Sequence, residues 1–392
     1  MNKHIPQGYK ESPLGIIPKE WEVKRLGEVC SFLDSQRIPI KDADRGKMQG
    51  KYPYYGASGI IDYVNDYIFD DDLILLGEDG ANIIMRSTPL AFLVSGKVWI
   101  NNHAHVLKTK SGFSRYYVCN YLESLSYDKY NTGTAQPKLN REVCEKIPVL
   151  LPPKKEQNRL SELFTTWDTA IEKQSELIEK FKLRKRALMQ QLLTGKKRLP
   201  GFSGEWKEVK LGDVFDERNE TNRDDLPLLS ITGDKGVIYQ SDSDKRDISN
   251  DDKSKYKRIC PNDIGYNTMR MWQGRSALSE LEGIVSPAYT IVTPRESVNV
   301  RFMAMLIQQP RVVYDFWTHS QGLVSDTLNC KYPDFCQVKV RIPTEEEQTA
   351  IASVLVKADK EIELAKEKLA NLQSQKRGLM QQLLTGKKRI KT

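Results

Sequence analysis

The side chains best suited to chemistry sit in short stretches punctuated by glycine. In the first half of the 392-residue chain these are Lys51, Tyr54, Tyr55 and Ser58, then Glu78, Asp79 and Asn82, then Asn102 and His103, then Thr134, Gln136 and Lys138. In the second half they are Lys235, then Asn267, Arg270, Trp272, Gln273 and Arg275, then Tyr289 and Gln321. Amides, guanidinium groups and short hydroxyls beside glycine are what base edges and phosphates require, so these residues are candidate DNA contacts. The competing reading of each is plain loop chemistry, a turn held by its own side chains.

His103 and His105 are spaced to share one face of a strand and could suggest a metal, but no third ligand follows at sensible spacing. A structural or DNA-facing role fits them better, and no metal site is expected. Catalytic motifs are missing as well. No two glycines are separated by one residue, which excludes G-x-G-x-x-G, and neither a phosphate-binding loop ending in G-K-[ST] nor an N-P-P-[YF] methylase tetrapeptide occurs. Pro333-Asp334 invites a nuclease reading, but Gln337 stands two positions before Lys339 where a carboxylate is needed. The chain is therefore read as having no catalytic residues and binding no cofactor of its own.

Composition sets outer bounds. With 39% hydrophobic and 29% charged residues the chain should bury real cores, and its length suggests two domains. Sixty Lys and Arg against 52 Asp and Glu leave a net charge of +8, which suits a polyanionic partner. The six cysteines, Cys30, Cys119, Cys144, Cys260, Cys330 and Cys336, include no C-x-x-C and are read as free thiols. No apolar run is long enough to span a bilayer and the first residues lack a signal-peptide core, so a cytoplasmic location is expected.

The elements that must position the polar stretches come in two copies. Residues 188–198 recur unchanged at 379–389, an offset of 191, and the same offset aligns Pro152 with Pro343, Gln157 with Gln348 and Asp168 with Asp359. Earlier in each half, Trp21 with Leu26-Gly27 matches Trp206 with Leu211-Gly212 at an offset of 185. The sequence between these anchors is similar in length and otherwise unlike, which describes two equivalent mounts carrying two different heads. Each mount reads as a heptad seam: Leu160, Phe164, Trp167, Ile171, Ile178 and Phe181 in one copy, Ile351, Leu355, Ile362, Leu369 and Leu372 in the other. About 38 residues at 1.5 Å each predicts helices of roughly 57 Å. Connectivity predicts an antiparallel pair, with residues 387–392 returning toward residues 15–21. Gly195 and Gly386 stand where a C-cap glycine belongs, and the Lys-Lys-Arg that follows each complements the helix dipole or meets phosphate.

These segments together resemble the specificity subunits of Type I restriction-modification systems, over essentially the whole chain. The carrying residues are Pro18 to Trp21 with Leu26-Gly27, Gly133 to Asn140, Ile147-Pro148 through Glu156-Gln157, and Leu192 to Gly195. In the second half they are Gly283 to Tyr289, Ile342-Pro343 through Glu347-Gln348, and Leu383 to Gly386, with Ser320-Gln321-Gly322-Leu323 departing from the Gly-Thr-Ala-Gln pattern. The resemblance implies an α/β (α+β) fold with two target recognition domains, separated by two long antiparallel coiled-coil helices in a pseudo-two-fold repeat. On that basis residues 1–152 and 199–343 are the recognition domains, and 153–198 and 344–392 the helices. It further implies double-stranded DNA and two methyltransferase subunits as partners, with restriction-translocase subunits joined through these. S-adenosylmethionine, ATP and Mg belong to the partners. A coiled-coil protein-interaction scaffold, or the specificity part of a fused nuclease or methylase, are the alternatives.

Overall fold

The computed structural model describes residues 5–233, 235–243, 251–322 and 327–390. Leu323 of the stretches above, and residues 391–392, lie outside the described residues. The chain divides into two compact units, residues 1–175 with 367–392, and residues 176–366.

The first unit is built on a six-stranded sheet in the order Cys30–Phe32, Ala104–Thr109, Phe69–Gly77, Ala91–Ile100, Gln49–Gly56, Gly59–Val64. Its middle strand carries the unbroken apolar run Leu73 to Leu76, and all four side chains are buried. Successive side chains alternate between faces, so an unbroken run needs cover on both. Leu73 and Leu75 join one apolar cluster with Val94, Val98 and Val106, while Ile74 and Leu76 join another with Tyr117 and Leu122. The latter two come from the helix Arg115–Ser124, whose N-cap Ser114 accepts a hydrogen bond from the Tyr117 amide. Outside the sheet, Glu22–Arg25 pairs antiparallel with Pro148–Leu151, and the latter leads into the first long helix.

The second unit has a smaller sheet, in the order Phe215–Glu217, Tyr289–Pro294, Ile264–Asn267, Ser276–Leu278, with flanking two-stranded ladders. Its core is aromatic: Phe335 stacks on Tyr266 and Phe316 at centroid distances of 5.2 and 5.6 Å and meets Phe215 edge-on at 5.8 Å. As in the first unit, a two-stranded ladder, Lys207–Lys210 with Lys339–Ile342, closes the head at the root of a long helix.

The long helices are Lys154–Leu192 and Glu345–Leu383, each of 39 residues, about 58 Å at 1.5 Å per residue. In the first unit Leu160 and Phe164 share a core with Met380, Leu383 and Leu384, Glu156 meets Arg389, and Asp168 meets Lys376 at 2.5 Å. Position rises along one helix as it falls along the other, so the pair is antiparallel. In the second unit Leu192 and Leu193 pack with Ile351 and Leu355, and Lys185 meets Asp359 at 2.5 Å, the same antiparallel sense. Of the heptad positions, Leu160, Phe164, Ile178, Ile351, Leu355 and Ile362 are buried. Trp167, Ile171, Phe181, Leu369 and Leu372 are half-buried, because two helices alone cover each other on one side only. No helix among the described residues is long and apolar enough to cross a membrane, and all six cysteines are free.

Candidate nucleic-acid interface

Each head is clasped to its mount by the same device. Glu156, 1% exposed in the first turn of its helix, accepts from Arg389 at 2.9 Å and from the Trp21 indole at 3.1 Å. Gln157 beside it donates to the Pro152 carbonyl at 2.9 Å and accepts from the Ser114 amide at 2.9 Å, tying helix, strand and head together. In the second unit Arg198 grips Glu347, also 1% exposed, through both oxygens at 2.6 and 2.5 Å. Gln348 bridges the Pro343 carbonyl at 3.0 Å and the Asn299 amide at 2.9 Å. A doubly forked Arg-carboxylate contact is the strong form of an ion pair.

Gly195 and Gly386 end the helices at φ of 68° and 71°, as expected of C-cap glycines. They are needed a second time for space: a Cβ on Gly386 would lie 2.6 Å from Pro18, and one on Gly195 3.3 Å from the Trp206 ring. The arginine of each Lys-Lys-Arg run is thus engaged with a buried glutamate, while the lysines are exposed.

In the first head the predicted loops converge. Arg37 donates to Glu78 and to the Ala104 carbonyl, both at 2.7 Å, and to the Asn102 carbonyl at 3.3 Å. Asp79 meets His103 at 2.8 Å, and its backbone forms an isolated bridge with Lys138. The stretch 133–138 is drawn tight by Asn131, whose side-chain oxygen accepts from the Gly133 and Lys138 amides at 3.0 and 2.9 Å. Gly133 has no alternative there, since a Cβ would sit 1.8 Å from the Gln136 carbonyl. This folding leaves Ser58, Asn102, His103, Thr134, Gln136 and Lys138 exposed. Lys51 is exposed on its own strand, with its ammonium 5.3 Å from the Tyr52 ring centre.

His103 and His105 diverge. His105, 1% exposed, holds Asp34 at 2.7 Å through Nδ1 and the Leu139 carbonyl at 2.8 Å through Nε2. Burial alone would lower its proton affinity, but the hydrogen bond to Asp34 and neighbouring groups raise the pKa to about 10, so the ring is an imidazolium. Its partner Asp34 is correspondingly held below the usual carboxylate range: burial works against this, but the His105 hydrogen bond and charge outweigh it. No group of three potential metal ligands occurs among the described residues.

Several candidate contacts in this head need correcting. Tyr54 is 1% exposed, with its hydroxyl accepting from the Ile40 amide at 3.2 Å and the Arg45 guanidinium over its ring, so it is a core residue. The Asn82 amide is used at both ends, donating to the Thr88 carbonyl and accepting from the Thr88 amide, each at 3.0 Å. Glu78 is engaged by Arg37 and, at 3.6 Å, by Lys138. Tyr55 is half-buried against Phe92. The sequence shows little sign of the roles of Asp34 and Arg37, which organise the loops from outside them, or of Asn131, which closes its own loop from within. Their signal was faint, an acid-base pair three residues apart and one asparagine ahead of a glycine.

The second head presents a concavity of about 470 Å³ whose lining includes Lys235, Asn267, Arg270, Gln273, Arg275 and Tyr289, six of the eight residues expected there. Trp272 is half-buried and donates to the Met269 carbonyl at 3.0 Å, so it supports the loop and does not line the cleft. Gln321 also lies outside the lining, with its amide on Asp334 at 2.9 Å. Thr232 and Ser243 complete the polar wall.

Two unlike polar surfaces, each fastened by a repeated clasp to one of two long paired helices, define a modular recognition protein. A family model described as the Type I restriction modification DNA specificity domain matches residues 18–180. Over 134 residues, 34% of this chain and 34% of its own length, a type I restriction enzyme specificity subunit of Haemophilus influenzae is 33% identical. The MjaVIII specificity subunit of Methanocaldococcus jannaschii is 23% identical over 100% of this chain and 98% of its own. In fold, a crystal structure of the Type-I restriction-modification system S subunit from M. genitalium superposes with a TM-score of 0.57, at 12% identity, over 92% of this chain and 95% of that one. Residues 18–180 thus match a Type I restriction modification DNA specificity domain, and over its whole length the chain is similar to a specificity subunit of a Type I restriction enzyme.

Proposed function

We propose that the chain is the component that reads DNA sequence for such a system, each head taking one half of a bipartite, asymmetric site. The observation that carries this is the pairing of equivalent clasps, Glu156 with Arg389 and Glu347 with Arg198, with exposed loops that share almost no sequence. Residues 1–152 and 199–343 are the recognition domains in this reading, and the helices of 153–198 and 344–392 set the interval between half-sites and dock two methyltransferase subunits. The chain itself contributes no catalytic group. S-adenosylmethionine chemistry belongs to the methyltransferases, ATP and Mg to restriction subunits joined through them, and the complex works on double-stranded DNA in the cytoplasm.

Methylome sequencing of a host carrying the chain with its methyltransferase tests this. Two dissimilar half-sites at a fixed gap are expected, and an uninterrupted motif overturns the reading. Inserting four residues ahead of Gly195 lengthens one helix by about 6 Å, one or two base pairs at 3.4 Å each. An unchanged gap after that insertion removes the ruler from the account. DNA binding that stays insensitive to salt and to sequence returns the helices to a protein scaffold.

A further inference from the structure

We propose that Arg270 and Arg275 are specificity-determining residues that read guanine in the half-site taken by the second head. The proposal rests on the reading that the chain binds DNA, and adds which bases this head selects and with what.

The first support is how firmly the two side chains are presented. The loop bearing them is closed on itself: the Asn267 amide donates to the Arg275 carbonyl at 3.0 Å, the Arg270 amide to the Asn267 carbonyl at 3.0 Å, and the Gln273 amide to the Arg270 carbonyl at 2.9 Å. The Asn267 side chain accepts from the Met269 amide at 3.0 Å, and Met271 is fully buried beneath. Gly274 turns the chain at φ of 72°, a conformation side chains rarely adopt. Both side chains therefore leave a fixed backbone platform, and little backbone ordering is left to be done on binding.

The second support is what they lack. Arg218, Arg223, Arg258, Arg295 and Arg301 of the same unit each hold a carboxylate. Arg270 and Arg275, exposed in the wall of the 470 Å³ cleft, have no carboxylate partner among the described residues. Space is also reserved for one of them, since a Cβ on Gly233 would lie 2.6 Å from the Arg275 guanidinium.

The third support is chemical. Guanine offers two adjacent acceptors in the major groove, O6 and N7, and the forked donors of a guanidinium match them. Neutralising phosphate needs only charge on an exposed surface, whereas two forks borne on one closed loop beside the amides of Asn267 and Gln273 suit base edges. Those amides match adenine.

The test uses the full chain assembled with its methyltransferase, comparing wild type with R270A, R275A, R275K and G233A by methylome sequencing and by binding to the wild-type site at several salt concentrations. Each alanine variant should lose discrimination by about 5- to 140-fold at one guanine of one half-site, about 1 to 3 kcal/mol at 1.4 kcal/mol per tenfold, with the other half-site intact. R275K keeps the charge but not the fork, and should relax the same position as R275A. G233A, which displaces the guanidinium without removing it, should weaken that position too. An unchanged motif with uniformly weaker binding and a salt slope smaller by about one makes these arginines phosphate contacts and overturns the proposal. So does full recovery of specificity in R275K. A wild-type complex that binds no DNA fails earlier, and sinks the underlying reading instead.

Discussion

The two heads solve opposite problems with similar residues. In the first, the charged loop side chains are largely paired with one another: Arg37 with Glu78, His103 with Asp79, His105 with Asp34. What remains exposed is mostly neutral, Ser58, Asn102, Thr134 and Gln136, carried on backbone that ion pairs have made rigid. In the second, Arg270 and Arg275 are kept apart from carboxylates among the described residues, and the rigidity comes from backbone hydrogen bonds and a buried methionine. A charged loop residue can build a surface or be the surface, and its partners decide which.

The largest effects are expected at the clasps. Glu156→Ala and Glu347→Ala each remove a buried carboxylate from a partly exposed arginine, for a loss of about 3 kcal/mol in chemical denaturation. Glu156→Ala should be the worse, because it also orphans the Trp21 indole, whereas the Trp206 indole already has no partner among the described residues. Equal losses would show that the two clasps are interchangeable. Next in size is Arg37→Ala, expected to cost about 2 to 3 kcal/mol by leaving Glu78 and two carbonyls short of a donor. Arg275→Ala, measured in the same way, should shift stability by no more than about 0.5 kcal/mol, as for a surface residue. If the two arginines cost the same, the division into builder and reader fails.

His105 adds a pH axis to the first head alone. Its folded pKa of about 10 lies above the ordinary 6.5, so its charged contact with Asp34 stabilises fully below about pH 6.5 and is lost as pH rises through about 10. The stability gap between wild type and His105→Gln should therefore narrow across that window. A gap that widens, or stays flat from pH 6 to 10, would mean the ring is neutral in the fold. The smallest effect is expected from Asn131→Ala, about 1 kcal/mol from two lost hydrogen bonds on an exposed turn. Its sharper readout is a weakened preference in one half-site.

Much of this was legible in one dimension. An 11-residue exact repeat, the heptad spacing from Leu160 onward and the glycines at 195 and 386 determined two long helices and their ends, because helix periodicity and capping are local rules, while chain connectivity determined their antiparallel sense. The polar cluster from Asn267 to Arg275 was legible for the same reason: a short loop keeps its neighbours together, and four of its five candidates line one cleft.

Tertiary structure decided which polar residue faces out. Tyr54 and Tyr55 are adjacent and alike in sequence, yet a strand sends them to opposite faces, and only sheet order determines which face is covered. Asn82 and Asn102 are equally suited to a base edge, but the turn at Thr88 uses the first and leaves the second exposed. The partners that settled these roles, Asp34 for His105 and Arg37 for Glu78, lie 71 and 41 residues away. Pairings at that range are set by how the whole sheet closes, which no local pattern encodes.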